Sequence, residues 1–219
     1  MPQIFHPSTN TLSRVSISGV MLAVTAFALI GGSMQRSPYL TAVGVPHEQP
    51  VPFSHEHHVA GLGIDCRYCH TTVERAGFAG IPPTETCMNC HRQIWAASPV
   101  LEPVRESYRS GQPLVWNRVH RLPDFVYFEH GIHVQKGIGC ASCHGRVDRM
   151  PLVWRVATLH MDWCLDCHRH PAEHLRPRDQ LFNLAWQPPA DQLAQGERLA
   201  REYGLRDVGL LTSCSTCHR

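Results

Sequence analysis

Apolar positions along this 219-residue chain fall into two regimes. Between Val15 and Gln35 no residue is charged, and residues 17–34 read ISGVMLAVTAFALIGGSM between Arg14 and Arg36. A run of about 20 apolar residues is enough to cross a bilayer once as a helix. It exceeds the apolar region of about 7–15 residues in a cleaved secretory signal, so the expectation is a retained membrane anchor. With one Arg on either side, the positive-inside rule does not fix the orientation. Beyond residue 35 the pattern breaks up, because 17 Pro and 16 Gly interrupt every long periodic stretch. One helix is predicted from an N-cap at Ser98, with Pro99 at its first position, to near Gly111. A second is predicted over 191–203, with Gly204 as its stop and Leu193, Leu199, Ala200 and Tyr203 as its apolar face. Strand signals are sparse. The expected class is mainly α, with short helices, long loops and one N-terminal transmembrane helix.

Composition narrows the function classes. Hydrophobic residues make up 43% and charged residues 17%, and the formal net charge is +2. The basic residues form no stripe, which argues against a nucleic-acid partner. Among 20 Lys and Arg only Lys136 is a lysine. Arginine suits bidentate recognition of carboxylates, so an anionic group is expected inside the protein.

All ten cysteines form CxxC pairs: Cys66/Cys69, Cys87/Cys90, Cys140/Cys143, Cys164/Cys167 and Cys214/Cys217. A histidine follows every pair: His70, His91, His144, His168 and His218. With 16 His in the chain, five such coincidences have a probability on the order of one in a million, whereas CxxCH is the attachment signature of c-type haem. Disulfides, zinc sites and redox dithiols also use CxxC pairs, but none requires His after each. The reading is five covalently bound haems c. Two thiols three positions apart reach the two vinyl groups of a porphyrin, and the adjacent imidazole becomes the proximal iron ligand. Five macrocycles supply a core that the polypeptide lacks, and about ten propionates supply the anions that the arginines await.

Covalent haem is installed outside the cytoplasm, which decides orientation. Residues 1–16 are expected in the cytoplasm, 17–34 in the lipid of the inner (cytoplasmic) membrane as a single pass, 35–52 as a linker and 53–219 as a periplasmic head.

The head contains an internal repeat. Phe53-Ser-His55-Glu-His57-His58 precedes the first motif by seven residues, and Phe128-Glu-His130-Gly-Ile-His133 precedes the third by six. Each copy carries a second motif, at Cys87 and Cys164. Two dihaem modules, about 53–95 and 128–172, are therefore expected, with a fifth haem at 190–219.

Spacing also narrows the opposite ligands. His55 and His58 lie three residues apart, on one face of a helical turn, and cannot bind opposite sides of one iron. They are expected to serve neighbouring haems, as are His130 and His133. His120 and Met161 complete six candidates for five irons. A Met thioether raises a haem's potential relative to His, so Met161 would mark a high-potential site.

The Phe-x-His-x-x-His run before CxxCH resembles the class III multihaem cytochromes. Gln49-Pro-Val-Pro-Phe-Ser-His55, Gly63-Ile-Asp-Cys-Arg-Tyr-Cys-His70, Ile81-Pro-Pro-Thr-Glu-Thr-Cys87, Val119-His-Arg-Leu-Pro-Asp124, Val126-Tyr-Phe-Glu-His130, Trp163-Cys-Leu-Asp-Cys-His-Arg169 and Cys214-Ser-Thr-Cys-His-Arg219 are similar to the pentahaem subunit of bacterial alternative complex III. That resemblance implies mostly bis-His haems, with Met161 at a His/Met site. It also implies electron transfer, without bond-making chemistry of its own, from menaquinol oxidised in an integral quinol-binding subunit. The route it implies passes through an iron–sulfur protein and the pentahaem head to a monohaem cytochrome or another periplasmic acceptor. Two alternatives keep the haems and change the role: a tethered quinol dehydrogenase acting alone, and a multihaem reductase with one vacant iron position.

Overall fold

The computed structural model describes residues 4–218; residues 1–3 of the expected cytoplasmic segment and the final Arg219 lie outside them. Helices account for about 52% of the chain, and no strand forms among the described residues. The single long helix, Ser8–Arg36, contains the apolar 17–34 run and extends beyond it at both ends. Its 29 residues span roughly 43 Å at 1.5 Å per residue, against a hydrocarbon layer about 30 Å thick. None of its residues is buried by the protein, and its mean hydropathy is 2.0 over the most apolar window. A helix apolar on every side and covered by nothing is long enough and apolar enough to cross a membrane.

Residues 44–218 fold separately. Residues 44–52 belong to this unit: Gly44 N–H donates to the Arg155 carbonyl at 2.8 Å, Gln49 and Asn117 exchange bonds of 2.9 Å, and Val51 is buried. Apolar burial is divided among three small clusters. Val51, Met88, Leu101 and Val104 form the first, Val73, Val134 and Leu181 the second, and Leu175, Leu199 and Tyr203 the third. Leu175 is the one large side chain among the described residues that is wholly enclosed. So little apolar burial is not enough to hold a head of this size by itself.

Both predicted helices form, each with a local departure. The first opens as a 3-10 turn, Pro99–Leu101, and becomes an α-helix at Glu102–Ser110. Pro103 has no N–H to give the Pro99 carbonyl, which instead accepts from Glu102, so the tighter turn persists. Gly111 ends it at φ +70°. The second helix is Gln192–Glu202 and buries Gly196 and Leu199, with Tyr203 just beyond it, whereas Leu193 stays 57% exposed.

Gly196 accounts for that change of face. The helix lies against the Pro171–Glu173 turn so closely that a Cβ on Gly196 would stand 1.9 Å from the Ala172 carbonyl oxygen. The face is defined by a missing side chain, which an apolar pattern does not register. Gly196→Ala is expected to cost about 1–3 kcal/mol through overpacking, seen as a melting midpoint several degrees lower with the helix content otherwise retained.

Candidate functional site

Every CxxC pair lies on a helical turn: Cys66–Cys69, Thr84–His91, Cys140–His144, Met161–Arg169 and Cys214–Cys217. One turn brings residues i and i+3 to the same face, so both thiols of a pair point the same way. All ten thiols are free of disulfides. They are not equally covered: Cys90 and Cys214 are exposed, whereas the other eight are partly covered. The Thr84–His91 helix buries Met88 in the first apolar cluster and packs Cys87 against it, and Cys90 lies one turn further on. A thioether bond requires a thiol that a porphyrin can reach, so exposure leaves Cys90 able to serve as an attachment point. Among the described residues, no three His, Cys, Asp or Glu side chains converge as they would around a bare metal ion. Burial pushes the thiols of Cys69, Cys87, Cys164 and Cys167 up, and that of Cys143 to about 12, the opposite of what an attacking redox thiolate needs.

Contacts among the thiols order the five motifs in space. Cys69 lies close enough to Cys87 to feel its charge. The Cys66 and Cys140 thiols lie side by side, and their interaction raises the Cys140 thiol and lowers that of Cys66. Cys143 neighbours Cys167 and Cys164, and Cys164 neighbours Cys217. The sequence of neighbours is therefore second, first, third, fourth, fifth.

Four of the five histidines that end these motifs face a second imidazole at nearly one spacing. Ring centres are 6.5 Å apart for His55 and His70, 6.2 Å for His58 and His91, 6.3 Å for His130 and His144, and 6.2 Å for His133 and His168. Two imidazoles on opposite sides of one metal, each with its nitrogen about 2 Å away, have ring centres roughly 6 Å apart. In each repeat the first His of the HxxH pair meets the first motif, and the second His meets the second motif. The flanking phenylalanines repeat as well. Phe53 stacks on His58 at 4.4 Å and meets His55 edge-on, and Phe128 stacks on His133 at 4.6 Å and meets His130 edge-on.

The extra residue of the first copy is absorbed locally. His55 leads into a π-helical turn, Glu56–Gly61, where the second copy forms an ordinary helix, His130–Gln135, capped by Glu129. The wider turn takes up one residue without rotating the two histidines out of register.

Hydrogen bonds set which ring nitrogen is available. Nδ1 of His70, His91, His168 and His218 lies 2.7–3.1 Å from the carbonyls of Gly80, Ile94, Leu211 and Phe125. Nδ1 of His58, His130 and His133 lies 2.7–3.2 Å from those of Ser54, Val73 and Glu129. A carbonyl can only accept, so each Nδ1 carries the proton and each Nε2 keeps its lone pair, the arrangement of a metal-ligating imidazole. Burial lowers His55 to about 4 and His144 to about 3, and it also lowers His130 and His133, so these rings are neutral at pH 7. Neutral imidazole is the ligating form. Paired imidazoles, cysteine-bearing turns and a sparse core all fit a covalently held macrocycle.

The remaining candidates separate. His218 meets the ring of Phe125 at 5.8 Å, and Cys217 is tied to the same segment through Tyr127 N–H. Met161 starts the helix that bears Cys164, one turn before it on the same face, and is 65% exposed. Cys164 itself lies near Cys217 of the fifth motif. His120 sits 4.3 Å from His144 at 67°, closer than any of the four pairs, with Nε2 buried and unpartnered. Burial and then the Arg155 guanidinium hold His120 at about 4. Because the unfolded chain takes up its proton near pH 6.5 and the folded chain does not until about 4, this group lowers stability as pH falls through that window. His120→Phe is expected to flatten the loss of stability between those pH values, measured by denaturant unfolding at a series of pH values.

Sequence reasoning identified the ring pairs' members but not the carbonyls that orient them. Only Ser54, Ile94 and Glu129, three or four residues from their histidines, are local enough to have been found.

No family model matches the chain. The multiheme cytochrome c subunit of menaquinone reductase from Nitratidesulfovibrio vulgaris is 30% identical over 176 residues, covering 78% of this chain and 77% of that protein. Cytochrome c-552 of Porphyromonas gingivalis is 41% identical over 61 residues, which cover 25% of this chain and 12% of that protein.

Proposed function

We propose, from the premise that this chain belongs to the multihaem cytochrome c family, that it is a membrane-anchored pentahaem electron-transfer subunit of a quinol-linked complex of the alternative complex III type. The observation that carries this reading is the near-constant spacing of four imidazole pairs, one at each of the first four CxxCH motifs. Covalent haem c supplies reversible one-electron transfer.

The roles of the side chains follow from that spacing. The ten cysteines anchor five haems, and His70, His91, His144, His168 and His218 are the proximal ligands. His55, His58, His130 and His133 close the first, second, third and fourth irons, and Met161 closes the fifth. His120 is the sixth candidate and remains a neutral neighbour of the third site. These residues would hold each haem from both sides and leave no position for substrate, so the chain would pass electrons and leave bond chemistry to its partners. Each HxxH pair holds two sites within one helical turn of each other, and the Cys66–Cys140 contact joins the two modules. The Ser8–Arg36 helix anchors the head at the periplasmic face of the inner membrane, beside an integral quinol-binding subunit and an iron–sulfur protein. A monohaem cytochrome or another periplasmic carrier exchanges electrons with the far end.

A second reading reverses the flow, delivering electrons to quinone. It is favoured by the name of the Nitratidesulfovibrio relative, a menaquinone reductase. The two are separated with the purified complex under anaerobic conditions, by following haem absorbance with a menaquinol analogue on one side and a reduced periplasmic carrier on the other. Intact mass of the chain tests the common premise: five haem adducts are expected, and four or fewer would refute it.

A further inference from the structure

Among the described residues, Arg176 is the one charged residue that is buried, at 6% exposure. Among those same residues, no carboxylate forms an ion pair with it. Its guanidinium donates through Nη1 to the Asn183 carbonyl at 3.2 Å and through Nη2 to the Ser142 hydroxyl at 3.3 Å. Nε–H has no acceptor among the described residues. The Trp186 ring lies 4.6 Å away over the guanidinium plane and shields it from water. On the other side the chain runs against Gly139, where a Cβ would come within 2.6 Å of Cδ, Nε and Cζ.

Those contacts place the charge in one specific location. Gly139 immediately precedes Cys140, and Ser142 lies between Cys140 and Cys143, so the guanidinium is clamped onto the attachment turn of the third motif. Both cysteines are near enough to bear on its charge. A buried cation is costly unless an anion faces it, no carboxylate of the described residues does so, and two long bonds to neutral oxygens offset only part of that cost. A neutral side chain of similar shape would fill the same space without the penalty, so simple gap-filling does not account for the charge.

We propose that Arg176 is a potential-setting residue, the fixed positive charge that raises the reduction potential of the haem held by Cys140, Cys143 and His144. This rests on the reading that the third motif carries a haem. Reduction adds one negative charge to the site, and a nearby cation favours that form. The preference is stronger where water is excluded, and burial and local charge are among the levers by which a protein tunes a haem. The third site is the middle member of the spatial order, with two motifs on either side. Arg176 would therefore act on the position through which the two modules communicate.

The test uses the full holoprotein and equilibrium redox titration followed by haem absorbance, with the adduct count measured on each sample. In Arg176→Gln the equilibrium constant for reducing one titrating component is expected to fall at least tenfold, which is about 59 mV for one electron. Arg176→Lys, which keeps the charge, is expected to stay within about threefold of the parent. Ser142→Asp, which sets a carboxylate beside the guanidinium, is expected to lower the same component. Superimposable titrations of the Gln variant and the parent would overturn the proposal, as would a Lys variant that falls as far as Gln. Should the Gln variant lose its third adduct, an unshifted Ser142→Asp protein overturns it instead. A parent chain without an adduct on the third motif defeats the underlying site reading, an outcome separable from every one of these.

Discussion

His130→Ala and His133→Ala are each expected to convert one haem in five to the high-spin state, and the double variant two. The argument is geometric. His130 and His133 lie on one turn of the His130–Gln135 helix, so their rings leave the same side of it and cannot close on one iron from opposite faces. His130 faces His144 at 6.3 Å, and His133 faces His168 at 6.2 Å. Removing either imidazole should open the third or the fourth site and leave the other closed. Alanine removes only the ring, and the helix start is kept by the Glu129 side chain, which accepts from Gly131 N–H at 3.2 Å. Integrated electron paramagnetic resonance of the oxidised protein gives the number of high-spin equivalents. A double variant with a single equivalent would mean that both histidines serve one site, and the stitch between neighbouring haems would be lost. The same experiment on His55 and His58 is expected to open the first and second sites, since the repeat keeps its pairing despite the π-turn.

Met161 gives the second large effect. A thioether ligand raises haem potential relative to imidazole, so Met161→His is expected to lower the highest of the titrating components, while Met161→Ala is expected to open that site and add one high-spin equivalent. The placement depends on the helix Met161–Arg169, where Met161 lies one turn before Cys164, whose thiol lies near that of Cys217. His120 is the competing candidate, but its ring is committed beside His144 at 4.3 Å. If His120→Ala opens a site and Met161→Ala does not, the two assignments must be exchanged. A redox titration that leaves the top component in place in Met161→His would remove the high-potential site from this chain.

The four pairs differ in how much of them the chain states locally. The five attachment motifs are short-range facts: Cys, two residues, Cys, His, on one helical turn. How far each thiol is covered is not, and the exposure of Cys90 beside a partly covered Cys87 depends on which end of their helix meets the first apolar cluster. The doubled HxxH spacing is as local as the motifs, and it requires two different partners for each pair whatever the rest of the fold does. Which partner each histidine meets is a long-range matter. His133 and His168 are brought together across two loops and a helix, and the Nδ1 acceptors of His168 and His218 lie on the distant Leu211 and Phe125 carbonyls. A backbone carbonyl has no signature in residue identity, so these could not have been read in advance. Gly196 and Arg176 are of the same kind, since an absent Cβ or a cation with no partner acquires meaning only from what surrounds it.

By itself the sequence determined the five CxxCH motifs, the apolar helix and the doubled HxxH spacing, because each depends on residues within a turn or two of one another or on one continuous apolar run. The tertiary structure decided the order of the five motifs, the pairing of the imidazoles and the burial of a lone guanidinium beside the third. Those depend on how distant loops close, and loop closure is governed by backbone contacts and steric fit that residue types at a given spacing do not encode.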